Sequence, residues 1–201
     1  MPHEQDPAAE ASMNDLIVRA RTDREAFGRL YDAYYPRIYR YCLRRLFVQA
    51  AAEDATADVF LRVASKMRAF GGTTEEDFRR WLYKIATNEA NAQIRRGQRR
   101  TALLEAAARS GALRSAAPSQ GSSTGLDSLD WPVLHQAILE LELREQAMIV
   151  LRFFEQMSHE QIAGVLDERP TTVRVALHRA LEKLRRKFKI DDVDPVTKSG
   201  S

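Results

Sequence analysis

Residues 77–100 read DFRRWLYKIATNEANAQIRRGQRR. The stretch has no proline, and its one glycine, Gly97, lies near the end. It can therefore run as a single helix of roughly five to six turns. On such a helix Phe78, Leu82, Ile85 and Ala92 fall on one stripe suited to burial. A neighbouring line carries Trp81, Lys84, Asn88, Asn91 and Arg95 at spacings of three and four, and Arg95, Arg96, Arg99 and Arg100 close the stretch. Aromatic rings stack on unpaired bases, amides bond base edges, and arginines hold phosphates. Taken alone, the stretch fits equally well as a core helix with a buried Trp81 and a basic end matched to its dipole.

The rest of the chain narrows that choice. Its 201 residues are 44% hydrophobic and 29% charged, an ordinary globular balance. A net charge of +3 means that affinity for nucleic acid must come from local clusters. The single cysteine, Cys42, cannot form an internal disulfide and suits packing. No run approaches 18 apolar residues, and the acidic opening MPHEQDPAAE is unlike a signal peptide. A cytoplasmic protein without membrane insertion is expected.

Residues 1–12 carry three acids, two prolines and no Lys or Arg, and are expected to be a disordered tail. Leu16, Ile17 and Ala20 begin an amphipathic helix, and Asp23 is placed to cap the next one, rich in tyrosine and interrupted by Pro36. Between residues 50 and 70 Ala55, Val59, Val63 and Met67 form a buried line, opposite Asp54, Asp58, Arg62 and Lys66 at ion-pair spacing. Gly71 and Gly72 end that helix, and Thr73 or Thr74 can cap the 77–100 helix. Residues 101–127 are Ala-, Ser- and Gly-rich and free of aromatics. They read as a flexible linker, marginally helical at first.

Beyond the linker, Trp131, Leu134, Ala137, Ile138 and Leu141 show helical spacing, as do Ala147, Met148, Val150, Leu151 and Phe154. Ser158 with Gln161 three residues on forms a capping box. A break at residues 167–170 precedes a long helix burying Val173, Leu177, Ala180, Leu181, Leu184 and Phe188. A short capped helix, a tight turn and a longer helix match a helix-turn-helix. The outward face of the second helix shows Thr171, Thr172, Arg174, Val175, His178 and Arg179. Residues 158–189 hold eight Lys/Arg against four acids, the local excess that a DNA-reading helix requires.

Catalytic constellations are missing from the pattern. His159-Glu160 begins like a zinc-protease helix, but Ala163 stands where the second histidine belongs. One cysteine and four scattered histidines offer no metal spacing, and no glycine-rich phosphate cradle is present. No catalytic residue, metal or cofactor is expected, so an enzyme acting on nucleic acid is disfavoured. A free-standing helix-turn-helix regulator remains an alternative on these residues.

Four blocks bear a family likeness in order: EAFGRLYDAYYPRIYRYC (25–42), EDATADVFLRV (53–63), FRRWLYKIATNEANAQIRR (78–96), and LRFFEQMSHEQIAGVL (151–166) with TTVRVALHRALEKLR (171–185). Together they resemble the extracytoplasmic-function sigma factors of bacterial RNA polymerase, over residues 15–100 and 129–189. The resemblance implies an all-α fold of two small helical domains, at 13–100 and 128–190, joined by the 101–127 linker and followed by a disordered 191–201 tail. It implies core RNA polymerase (the β′ clamp helices and the β subunit), promoter DNA and an anti-sigma factor as partners. Asp58, Val59, Phe60 and Arg62 resemble the segment that docks on the clamp helices. Thr73 and Thr74 lie in a loop like the one that captures a flipped −10 base. Trp81, Lys84, Asn88, Asn91, Arg95, Arg96, Arg99 and Arg100 would follow the −10 non-template strand. Thr171, Thr172, Arg174, Val175, His178 and Arg179 would read the −35 element. Departures from the family pattern stand at Ala57, Ala64, Glu142, Gln156, Asp167, Val175 and Ala176. Gln156 and Asp167 occupy helix ends where glycine is usual, so a left-handed backbone is expected at non-glycine residues there.

Overall fold

The computed structural model describes the backbone of residues 7–109 and 137–188, and the side chains of 13–104 and 137–186. Among these residues all regular structure is helical. The elements are α1 (Pro7–Arg19), α2 (Arg24–Leu46), α3 (Gln49–Lys66), α4 (Glu75–Arg109), α5 (Leu143–Phe153), α6 (His159–Leu166) and α7 (Pro170–Phe188). A 3-10 turn, Met67–Ala69, follows α3. No helix among the described residues is long and apolar enough to cross a membrane.

Local chemistry sets the helix ends. The Asp23 carboxylate caps α2 by accepting from the Glu25 and Ala26 amides at 2.8 and 3.3 Å. Pro36 is exposed and sits inside an α2 that continues past it. Phe47 closes α2 at φ 58°, with its amide on the Leu43 carbonyl at 2.8 Å. Thr74, the second of the two expected threonines, caps α4: its hydroxyl oxygen accepts from the Asp77 amide at 3.1 Å.

Helices α1 to α4 enclose Ile17, Leu30, Tyr34, Ile38, Tyr41, Val59, Phe78 and Leu82. Tyr34 meets Phe78 edge-on at 5.1 Å, and its hydroxyl donates to Glu75 at 2.7 Å. Tyr41 packs on Tyr83 at 5.4 Å and shares a 2.7 Å hydrogen bond with Thr87. Cys42 is fully buried, and desolvation raises its thiol to about 11. Such a thiol is inert at neutral pH. In the C-terminal half, α5, α6 and α7 bury Met148, Leu151, Ile162, Val165, Val173 and Leu177. Lys183 of α7 pairs with Glu145 of α5 at 2.7 Å.

Several expectations change. Residues 7–12, assigned to the tail, are the first turns of α1: Pro7 occupies the first helical position, where its missing N–H costs nothing, and an alanine-rich run follows. Helix α4 passes through Gly97 and continues to Arg109, so the first nine residues of the expected linker are helical. Ala92 is half-buried, whereas Tyr83, Ala86, Glu89 and Ala90 are buried because α4 packs on more than one side. Arg62 does not pair along its own helix; it reaches Glu89 of α4 at 2.5 Å. Trp131, Leu134, residues 110–127 of the linker and the 191–201 tail lie outside the described residues.

Candidate nucleic-acid interface

The loop before α4 is fixed from behind. Gly72 is closely approached: a Cβ built there would lie 2.6 Å from the Asp77 Cβ, so a side chain cannot be accommodated without movement. The Arg21 guanidinium donates to the Gly72 carbonyl and lies 5.8 Å from the centre of the Phe70 ring. The Thr74 hydroxyl donates to Asp77 at 2.9 Å, and Arg80 pairs with the same carboxylate at 2.6 Å. The Thr74 bond above all, with the Arg80 charge, holds Asp77 below the usual carboxylate range. Thr73 and Thr74 are exposed on this anchored turn.

Trp81 is half-buried rather than open. It stacks on Phe70 at 4.7 Å and 26°. Further along α4, Asn88, Arg95, Arg96, Arg99 and Arg100 are exposed. Lys84 is half-buried and lies 2.7 Å from Asp167. Asn91 is also half-buried, its side-chain oxygen accepting from the Arg45 guanidinium. Along the α4 line, Trp81, Lys84 and Asn91 are thus occupied, while Asn88 between them and the four arginines beyond are open.

In the C-terminal half, the Ser158 and Gln161 side chains each accept from the other residue's amide, at 3.2 and 3.0 Å, completing the expected box. Asp167 ends α6 at φ 55°, with its amide on the Ala163 carbonyl. Gln156 adopts φ 54°, so both expected left-handed positions are left-handed. Pro170 then starts α7, and Val173, Leu177, Ala180 and Leu184 face inward. Thr171, Thr172, Arg174, Val175, His178 and Arg179 are all exposed on the other side.

The four α3 positions do not share one surface. Val59 and Phe60 are buried, Phe60 against Tyr31 at 4.7 Å. Asp58 is half-buried and Arg62 exposed, beside a Leu61 that is 68% exposed. Burial of Val59 and Phe60 positions the helix, while Asp58, Leu61 and Arg62 form its outer edge.

Sequence reasoning passed over Arg45, Arg21 and Glu155. Arg45 is 1% exposed and donates to the Leu143 carbonyl at 3.2 Å and to Gln146 at 3.4 Å. Its partners lie up to 101 residues away, beyond any periodic signal. Only its place in the apolar series Ile38, Tyr41, Cys42 hinted at burial. Glu155 accepts from the Tyr83 hydroxyl and pairs with Arg44 at 3.4 Å. Burial, with the Glu155 charge, pushes the Tyr83 phenol upward.

Comparison with known proteins agrees with both halves. A family model for sigma-70 region 2 matches residues 30–100, and one for sigma-70 region 4 matches residues 133–184. The ECF RNA polymerase sigma factor BldN of Streptomyces coelicolor is 31% identical over 188 residues, covering 90% of this chain and 68% of that protein. The ECF RNA polymerase sigma factor SigW of Bacillus subtilis is 30% identical over 172 residues, covering 83% and 91%. Among solved structures, the sigma factor RpoE in complex with the anti-sigma factor NepR, from Bartonella quintana, shares the fold. Its TM-score is 0.61 at 21% identity, over 83% of this chain and 98% of that one. CnrH in complex with the cytosolic domain of CnrY gives 0.64 at 22%, over 89% and 98%. With both regions matched in order and relatives aligned across most of either length, the chain belongs to the extracytoplasmic-function RNA polymerase sigma factors.

Proposed function

We propose that this sigma factor divides promoter recognition between α4 and α7. It docks on the β′ clamp helices of core RNA polymerase through the outer edge of α3, at Asp58, Leu61 and Arg62, and makes a second contact with the β subunit. Thr73, Thr74 and the Trp81–Arg100 line take the opened −10 non-template strand, amides toward bases and arginines on phosphates. The α7 face from Thr171 to Arg179 enters the −35 major groove. The protein acts in the cytoplasm and catalyses no reaction itself. An anti-sigma factor is a further proposed partner, as in the Bartonella quintana neighbour.

The observation that carries the reading is the presence on one chain of two exposed polar surfaces of different chemistry. One is the amide-and-arginine end of α4, and the other is the capped helix-turn-helix face of α7. A regulator that binds only duplex DNA has no use for the first. Run-off transcription with core polymerase and a set of candidate promoters tests it. The chain should produce transcripts from discrete start sites that core polymerase alone does not. Duplex binding without any such transcript would favour the free-standing regulator.

A further inference from the structure

The outward face of α7 has an apolar centre. Val173, Leu177, Ala180 and Leu184 point inward. At 3.6 residues per turn Val175 lies about 200° around the helix from Val173, opposite that buried line. It is 48% exposed. Its neighbours one turn away in either direction, Thr171, Thr172, His178 and Arg179, are all polar and all exposed. The cations of α7 that pair with carboxylates, Lys183 and Arg185, lie further along, and Arg174 and Arg179 have no ion-pair partner among the described residues. An apolar crown among unpaired cations and hydroxyls suits a polyanion that itself carries an apolar feature. It suits a dry protein contact poorly, since the cations would be desolvated without partners.

The major groove of duplex DNA offers such a feature: the C5-methyl group of thymine, set among hydrogen-bonding base edges. A recognition helix places its N-terminal residues against those edges, and Val175 is the sixth residue of α7. We propose that Val175 reads a thymine methyl group in the −35 major groove, and so sets one base pair of the promoter sequence that this chain accepts. The proposal rests on α7 being the helix that enters that groove.

Side-chain size and stiffness support the assignment. Valine is short, so a helix that carries it at the crown seats close to the base edges. The longer Arg174 and Arg179, on either flank, then reach guanine edges or phosphates. A β-branched side chain on a helix is held in one χ1 rotamer, so its two methyl groups keep fixed directions and little freedom is lost on contact. Uracil pairs as thymine does but leaves the site empty, because it lacks the methyl group. One buried methyl group is worth about fourfold in affinity, enough to rank promoters against one another.

A methyl-deletion series on the DNA tests this. The full chain first enriches its preferred sites from a library of random duplexes. Each thymine of the enriched duplex is then replaced, one at a time, by deoxyuridine, which keeps the base pair and removes only the methyl group. Fluorescence anisotropy reads the affinity of the unaltered chain and of Val175→Ala for every duplex, and circular dichroism confirms that the variant keeps its helices. At one thymine the replacement should weaken the unaltered chain about fourfold. Val175→Ala should bind the thymine duplex weaker by a similar factor and should not distinguish thymine from deoxyuridine at that position. A variant as sensitive to that replacement as the unaltered chain would assign the methyl group to another residue and overturn the proposal. An unaltered chain that enriches a definite sequence but is indifferent to every replacement would overturn the proposal alone, leaving α7 in the groove. Failure to enrich any duplex would overturn the reading of α7 itself, and the proposal with it.

Discussion

At the scale of single residues, left-handed backbone positions and caps carry local energies that can be measured one at a time. Gln156 is exposed and sits at φ 54°, so its side chain contributes little to packing while its Cβ is strained. Replacing it with glycine should raise stability by about 1 kcal/mol, read from the urea midpoint. Phe47 shares the conformation at φ 58°, but its ring packs against the core. Phe47→Gly should therefore be net destabilising despite the same backbone relief, because a lost aromatic costs more than the strain. Asp77 supplies a pH signature. Its folded pKa lies below the ordinary 3.8, so it stabilises above that value, and the contribution fades as pH falls through the folded value. Asp77→Asn should flatten the acid limb of a stability-against-pH curve and leave its neutral-to-alkaline limb unchanged in shape. An unchanged acid limb would mean that the Thr74 and Arg80 contacts are not formed in solution.

At the scale of elements, α3 separates support from docking. Arg62 joins α3 to a nearly buried Glu89. Reversing its charge would set two carboxylates together, costing roughly 1–2 kcal/mol after allowance for the exposure of Arg62. Weakened polymerase binding by Arg62→Glu would thus mix a folding effect with an interface effect. Leu61 is the cleaner probe, being 68% exposed. Leu61→Asp should leave the unfolding midpoint within about 0.5 kcal/mol of the unaltered protein and weaken binding to core polymerase, measured by competition for labelled core. Equal binding would remove the outer edge of α3 from the interface.

The same scale shows what was legible in the chain. Ser158 and Gln161 announced α6, because a capping box is written within four residues. The exposed face of α7 followed from helical period, since Val173, Leu177 and Ala180 leave only one side for Thr172, Arg174 and Arg179. The end of α4 was placed nine residues early because residues 101–109, read as the marginally helical start of the linker, lack the apolar periodicity of a packed helix, whereas their leucines and alanines are strong helix formers that carry α4 on to Arg109. Pro7 was counted towards a disordered tail and is the first residue of α1, where a proline is tolerated.

For the whole molecule, the contacts that decide which surfaces are open were not written locally at all. Arg45 to Gln146, Tyr83 to Glu155 and Lys84 to Asp167 join residues 72 to 101 positions apart. Periodicity placed Lys84 and Asn91 on the correct line of α4 without revealing that Asp167 of the other half occupies the first and Arg45 of α2 the second. Trp81 was similarly placed and proves to be stacked on Phe70, so strand stacking at Trp81 requires Phe70 to move or to share the ring.

The central claim is that one chain reads two states of DNA with two helices. Its most direct measurement is the binding of Asn88→Ala and Arg174→Ala, each in the full chain, to two probes: a single-stranded −10 non-template oligonucleotide and a −35 duplex. Both residues are exposed and make no described contact between the halves, so either loss reports on DNA. Arg174→Ala should lose roughly 1–3 kcal/mol on the duplex and nothing on the strand, and Asn88→Ala should do the reverse. Equal impairment of both variants on the duplex, with no binding of the strand by any of them, would contradict the division of labour.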